Sequence, residues 1–252
     1  MDRRAQAGVL LAVAAVALRL GLTDAALAYV KSGLRPLLTL AGIALGVIGA
    51  STLLPQLRDE GRATRADPRT SDGTMPHPGA GGDGAHEPAI GWMLVLPLLA
   101  LLLIAPPPLG AFAAARQSSR LAQPSQLSYP PLPPAEDGTV RLTLAEYRLR
   151  ALYDDSESLS GARIRLTGFV TPSEDGEGYL LTRFVLSCCA ADGIAVQVRI
   201  QGDSVARPAD AWLEVEGRWM PTPVTAERAR GVPVLSAQQV VVIPAPAQPY
   251  EY

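Results

Sequence analysis

Two adjacent cysteines, Cys188 and Cys189, are the chemical oddity of this sequence, and a carboxylate, Asp192, follows close behind them. They sit in the stretch Arg183-Phe184-Val185-Leu186-Ser187-Cys188-Cys189-Ala190-Ala191-Asp192-Gly193, where strand-like alternation ends at Ser187. Neighbouring side chains on a strand point to opposite faces, but a turn can bring both sulfurs together. Two thiolates with the Asp192 carboxylate could then hold a thiophilic metal or metalloid ion. A tetrahedral zinc site would need further ligands from elsewhere. The pair could instead be a redox couple, because a vicinal disulfide is strained and therefore reducible. It could also be structural, with one cysteine buried as a small hydrophobe. Nucleophilic catalysis lacks a base, since the only histidines, His77 and His86, lie well upstream. The expectation is a binding protein rather than an enzyme, with a thiophilic ion as the one candidate cofactor.

The elements that must position the cysteines form a β-rich domain over residues 139–246, followed by a short tail, 247–252. Thr143–Asp154 reads as an amphipathic helix, with Thr143 as N-cap and Glu146 at the capping-box position. Strands are expected at Arg163–Val170, Tyr179–Ser187, Ile194–Ile200, Trp212–Trp219 and Val232–Ile243, with a hairpin loop at Ser173-Glu-Asp-Gly-Glu-Gly. One helix and five short strands with Gly-rich joints fit a small β-barrel of the OB-like type. From Glu136 onward there are 16 acidic and 11 basic residues. That balance argues against the nucleic-acid role common among such barrels, as does the overall net charge of −2.

The N-terminal half is of a different solvent class. Leu37–Leu57 has no charge over 21 residues, enough for a helix to cross a hydrocarbon core of about 30 Å. Pro88–Ala115 has none over 28, with Ile90–Ala105 as its apolar centre and Pro106, Pro107 and Pro108 ending the helix. A weaker block near residues 5–28 is interrupted by Arg19 and Asp24, which should snorkel or face a neighbouring helix. A cleavable signal peptide competes for that block, but Arg19 is badly placed for its apolar core. The expectation is a multi-pass membrane protein: two spans within 1–57, a disordered polar loop at 58–88, a third span at 89–110, and a Pro-rich linker at 111–138 that spaces the domain from the bilayer. Arg3, Arg4 and the arginines of the loop favour a cytoplasmic N-terminus and an extracytoplasmic C-terminal domain. Within the second span, Gly42-x-x-x-Gly46 with Ala50 forms a stripe of small residues, a candidate face for a partner helix or for this chain's own helices. His77 and His86 read as exposed loop residues.

Three stretches together carry a resemblance: Arg19, Tyr29 and the span that follows; Pro108-Leu109-Gly110 with the alanines after it; and the C-terminal block. That block runs Gly161-x-x-Ile164-x-Leu166-x-Gly168-Phe169-Val170, Arg183-Phe184, Ser187-Cys188-Cys189-Ala190-Ala191-Asp192, Trp212 and Gly217. The chain resembles the bacterial YcgQ-type permease-subunit family, whose function is unknown. The resemblance implies a membrane half, a loop that is often histidine-rich, and a multi-span permease as partner, related to exporters of trivalent arsenicals. It implies an accessory subunit of a transport system whose outer domain binds or delivers a metal or metalloid. The alternative is a membrane-anchored binding or sensing module, for redox state or metal, that acts without a permease.

Overall fold

The computed structural model describes residues 3–63, 107–117, 129–154, 157–173, 178–221 and 232–252. The chain divides into two units: Met1–Ala26 with Gly33–Pro106, and Leu27–Ser32 with Pro107–Tyr252.

In the first unit, helix α1 (Arg3–Leu22) packs against α2 (Arg35–Ala63). α1 stops short of the expected residue 28. The Thr23 hydroxyl donates back to the Arg19 carbonyl at 2.7 Å, and a 3-10 turn occupies Asp24–Ala28. The Asp24 carboxylate pairs with Arg35 at the start of α2 at 3.2 Å, and Arg35 also donates to the Thr23 carbonyl. One helix near the N-terminus is long and apolar enough to cross a membrane, over Ser32–Leu54, whereas the apolar part of α1 is the shorter Gln6–Leu22. Leu37, Leu40, Ile43, Val47, Ile48 and Leu54 of α2 are each half or more exposed, which a helix surrounded by lipid tolerates and a soluble core helix does not. Three spans are therefore not found among the described residues, and most of the expected third span lies outside them. The small-residue stripe is used within the chain. A Cβ at Gly42 would stand 2.9 Å from Leu18 Cγ, and one at Gly46 would touch Ala14 at 3.7 Å, so α1 packs on this face; Ala50 is half-buried. α2 also continues through Ala63, beyond the expected start of the polar loop. The rest of that loop, with His77 and His86, lies outside the described residues.

The second unit is built on seven strands: β1 (Val140–Arg141), β2 (Arg163–Pro172), β3 (Tyr179–Val185), β4 (Ile194–Gln201), β5 (Trp212–Met220), β6 (Val234–Val242) and β7 (Tyr250–Glu251). Their order is β1-β2-β5-β6-β4-β3-β7, and β2 also pairs with β3, so the pairings of the five long strands close on themselves. β4–β6 is parallel and the other four pairings in that circuit are antiparallel. The five long strands lie within two residues of their expected bounds because their apolar alternation is clear. Ile164 and Leu166 on β2, Leu181 on β3, Val196 and Val198 on β4, and Leu213 and Val215 on β5 all enter one buried cluster. Helix α4 (Leu144–Tyr153) closes that cluster with Leu144 and Tyr147. Its N-cap is Thr143, whose hydroxyl accepts the Glu146 amide at 3.0 Å.

The opposite face of the same strands is buried too, around Phe169, Phe184, Leu186, Ala195 and Tyr250. Phe169 and Val170 are neighbours that enter different clusters, as the two-residue period requires. What covers the second face is a short helix, α3 (Ala111–Ala114), together with β7. This corrects two expectations. Part of the Pro-rich stretch is not a spacer: the Ala111 amide donates to Asp210, Tyr129 reaches the Leu149 carbonyl, and Arg150 donates to the Pro130 carbonyl. The tail at 247–252 likewise pairs with β3 as a parallel strand.

Candidate metal centre

β3 delivers the cysteines. Phe184 is buried on the second face, Leu186 follows it there, and the chain then leaves the sheet into Ser187, Cys188 and a 3-10 turn at Ala190–Asp192. Asp192 folds back over the turn. Its Oδ1 accepts the Ser187 amide at 3.0 Å, and its Oδ2 accepts the amides of Cys188 at 2.7 Å and Cys189 at 3.4 Å. The two sulfurs stand 3.7 Å apart as free thiols, Cys188 exposed and Cys189 half-buried. One donor atom from each of Cys188, Cys189 and Asp192 lies within 4.8 Å of the others. The structure thus brings together all three residues expected to form the site.

The electrostatics separate their roles. The Cys188 thiol is pushed up to about 11, first by its hydrogen bond to the Asp192 carboxylate and then by its bond to Cys189. The same thiol, together with the three backbone amides, holds the Asp192 carboxyl below the usual range. At neutral pH Cys188 therefore rests as a protonated thiol against an ionised carboxylate. Asp192 is already an acceptor for four donors, so its first duty is to shape the turn. The sulfurs are the freer donors. Two thiolates about 2.3 Å from a tetrahedral ion stand about 3.8 Å apart, close to the observed 3.7 Å. That spacing would let both sulfurs reach one soft ion.

Around the turn lie groups that a reading of local pattern passes over. Val30 forms an isolated antiparallel bridge with Cys189. The Lys31 amide donates to the Cys188 carbonyl at 3.1 Å, and the Ala190 amide donates to the Tyr29 carbonyl at 2.7 Å. Tyr250 ties three segments: its hydroxyl donates to the Ala28 carbonyl and accepts the Leu109 amide, both at 2.8 Å. Glu251 accepts the amides of Leu144 and Ala145 at the start of α4, at 2.8 and 3.1 Å. Burial pushes its carboxyl up, against the pull of those amides and of Arg183. Arg183 in turn donates to the carbonyls of Gln248 and Pro249, so the Arg183-Phe184 pair seats β7 beside the cysteine turn. The only local signals for these contacts were the β-prone dipeptide Tyr29-Val30 before Lys31-Ser32-Gly33, and the alternation in Tyr250-Glu251-Tyr252.

Residues 134–252 match the family model described as the DUF1980 C-terminal domain. That family is of unknown function. The matched region begins just before β1 and contains α4, every strand, the cysteine turn and β7. The segments at 27–32 and 107–117, which also build this unit, lie outside the match. No curated protein and no solved structure matches the chain.

Proposed function

We propose that this chain is a membrane-anchored accessory subunit of a permease, and that its C-terminal domain captures a thiophilic ion at Cys188 and Cys189. The observation that carries this reading is the pair of free sulfurs 3.7 Å apart on a turn organised by Asp192. An apolar, largely exposed α2 supports the anchor. The closed pairing circuit with β4 and β6 parallel supports an OB-type barrel as the scaffold. A site with two soft donors and open positions suits an ion that is passed on, rather than a structural zinc held by four ligands. The proton that a metal displaces from Cys188 goes to solvent, because the hydrogen bonds that hold the Asp192 carboxyl below its usual range keep it ionised at neutral pH.

The full chain, reduced and in detergent, should bind cuprous ion at about one to one in competition with a chromophoric chelator. Changing both cysteines to serine should abolish binding and leave the circular dichroism spectrum unchanged. Because the Cys188 thiol sits at about 11, binding must displace its proton. Apparent affinity should therefore rise about tenfold per pH unit between pH 6 and 8 for that proton alone. Affinity that is flat with pH, or binding that survives in the double variant, would remove the cysteines from the site. Permease association comes from the resemblance to YcgQ-type subunits. Gentle solubilisation should recover a multi-span partner with this chain, and recovery of the chain alone would favour the sensing module that acts without one.

A further inference from the structure

We infer that Tyr29–Lys31 is a positioning strap for the cysteine turn, and that its docking is thermodynamically linked to ion capture there. The inference rests on the ion-binding reading above and adds a second set of residues to it.

The amides of Ser187, Cys188 and Cys189 go to Asp192. The Cys189 carbonyl accepts the Asp192 amide, and the Ala190 carbonyl accepts the Gly193 amide. The groups that flank Cys189 are the Cys188 carbonyl and the Ala190 amide, one on each side. Both are satisfied by the strap, through Lys31 and Tyr29. Cys189 is thereby held in extended backbone, with φ −152 and ψ 170, by a segment more than 150 residues away in sequence. The strap is itself pinned, through the Ala28 carbonyl on Tyr250 and the Lys31 ammonium over the Tyr252 ring at 5.4 Å.

An ion bound to both sulfurs selects backbone conformations that keep them about 3.8 Å apart. The strapped turn is already such a conformation. A turn without the strap gives these two groups to water and gains freedom, so only a fraction of its conformers present that spacing. The ion therefore binds the strapped state more tightly, and by reciprocity it holds the strap in place by the same factor. The strap continues covalently into α2 through Ser32–Leu34 and into α1 through Asp24–Ala28. Thiol occupancy is thus felt by the one stretch of the domain unit that joins the two helices.

The test uses the full chain in detergent with cuprous ion as the probe. Lys31→Pro deletes the amide that bonds Cys188, and Lys31→Ala keeps it. Lys31→Pro should weaken cuprous affinity about three- to tenfold, the worth of one such hydrogen bond, and Lys31→Ala, which loses only the ring contact, should weaken it by less. Amide exchange at Lys31 and Ala190 in the wild-type chain should slow by a similar factor when the ion is added, a readout that does not depend on the variant folding. Normal ion binding with unchanged exchange at both amides would overturn the strap and leave the metal site standing. No cuprous binding by the wild type would overturn both.

Discussion

Ending the chain after Pro249 should abolish the cooperative unfolding transition of the C-terminal domain. Tyr250 is 3% exposed and sits edge-on to Phe184 at 6.4 Å between ring centroids. Removing a buried aromatic of this kind costs about 3–5 kcal/mol. The same truncation strips the Glu251 acceptors from the first turn of α4 and frees the Leu186 amide, which donates to the Glu251 carbonyl at 3.0 Å. Each such buried group left unpaired costs about 1–3 kcal/mol. A domain of this size has about 5–15 kcal/mol in total, so these losses reach its margin. Near-ultraviolet circular dichroism and thermal melting should show no native transition. The milder Tyr250→Phe removes only the hydroxyl that joins Ala28 to Leu109, and should lower stability by about 1–3 kcal/mol while keeping the fold. A truncated chain that melts within a few degrees of the full one would mean that β7 contributes nothing.

Replacing Gly217 or Gly168 with valine should be nearly as damaging. Gly217 lies at the irregularity where β5 and β6 shift register. A Cβ there would collide with the Ser236 carbonyl oxygen and stand 2.9 Å from its carbon. A Cβ at Gly168, where β2 passes from pairing with β5 alone to pairing with β3 as well, would stand 2.7 Å from the Thr182 carbonyl oxygen. In both cases the obstacle is backbone in a closed set of strands, which cannot swing aside as a side chain can. Overpacking typically costs about 1–3 kcal/mol, and fixed neighbours put these sites at the upper end. The melting temperature should fall by about 10 °C or more. A shift under about 3 °C would show that the strands separate locally without strain.

How much of this was legible depended on where the stabilising partner lies. The five long strands and α4 could be read from Arg163, Tyr179, Ile194, Trp212 and Leu144 onward because each carries its own period, and burial acts on that period directly. Cys188, Cys189 and Asp192 were legible as a cluster by proximity in sequence. The part of Asp192 as the acceptor for three amides was not, because it depends on the turn closing. β1, β7 and the Val30 bridge are one or two residues long, too short for any period, and exist only through pairing with distant chain. The Gly42 and Gly46 stripe was visible as a flat face, but nothing local says which helix occupies it. Leu18 and Ala14 on α1 do.

The bond from Tyr250 to Ala28 spans 222 positions of the chain. At a synthesis rate of about 5–20 residues per second, about 10–45 s separate the emergence of its two ends. The peptide around Tyr29 is thus made long before the turn at Cys188–Ala190 that it bonds, and Tyr250, which pins it, comes last of the three. The docked strap is therefore a late contact of the newborn chain, completed only after the strands from β2 to β6 have all been made.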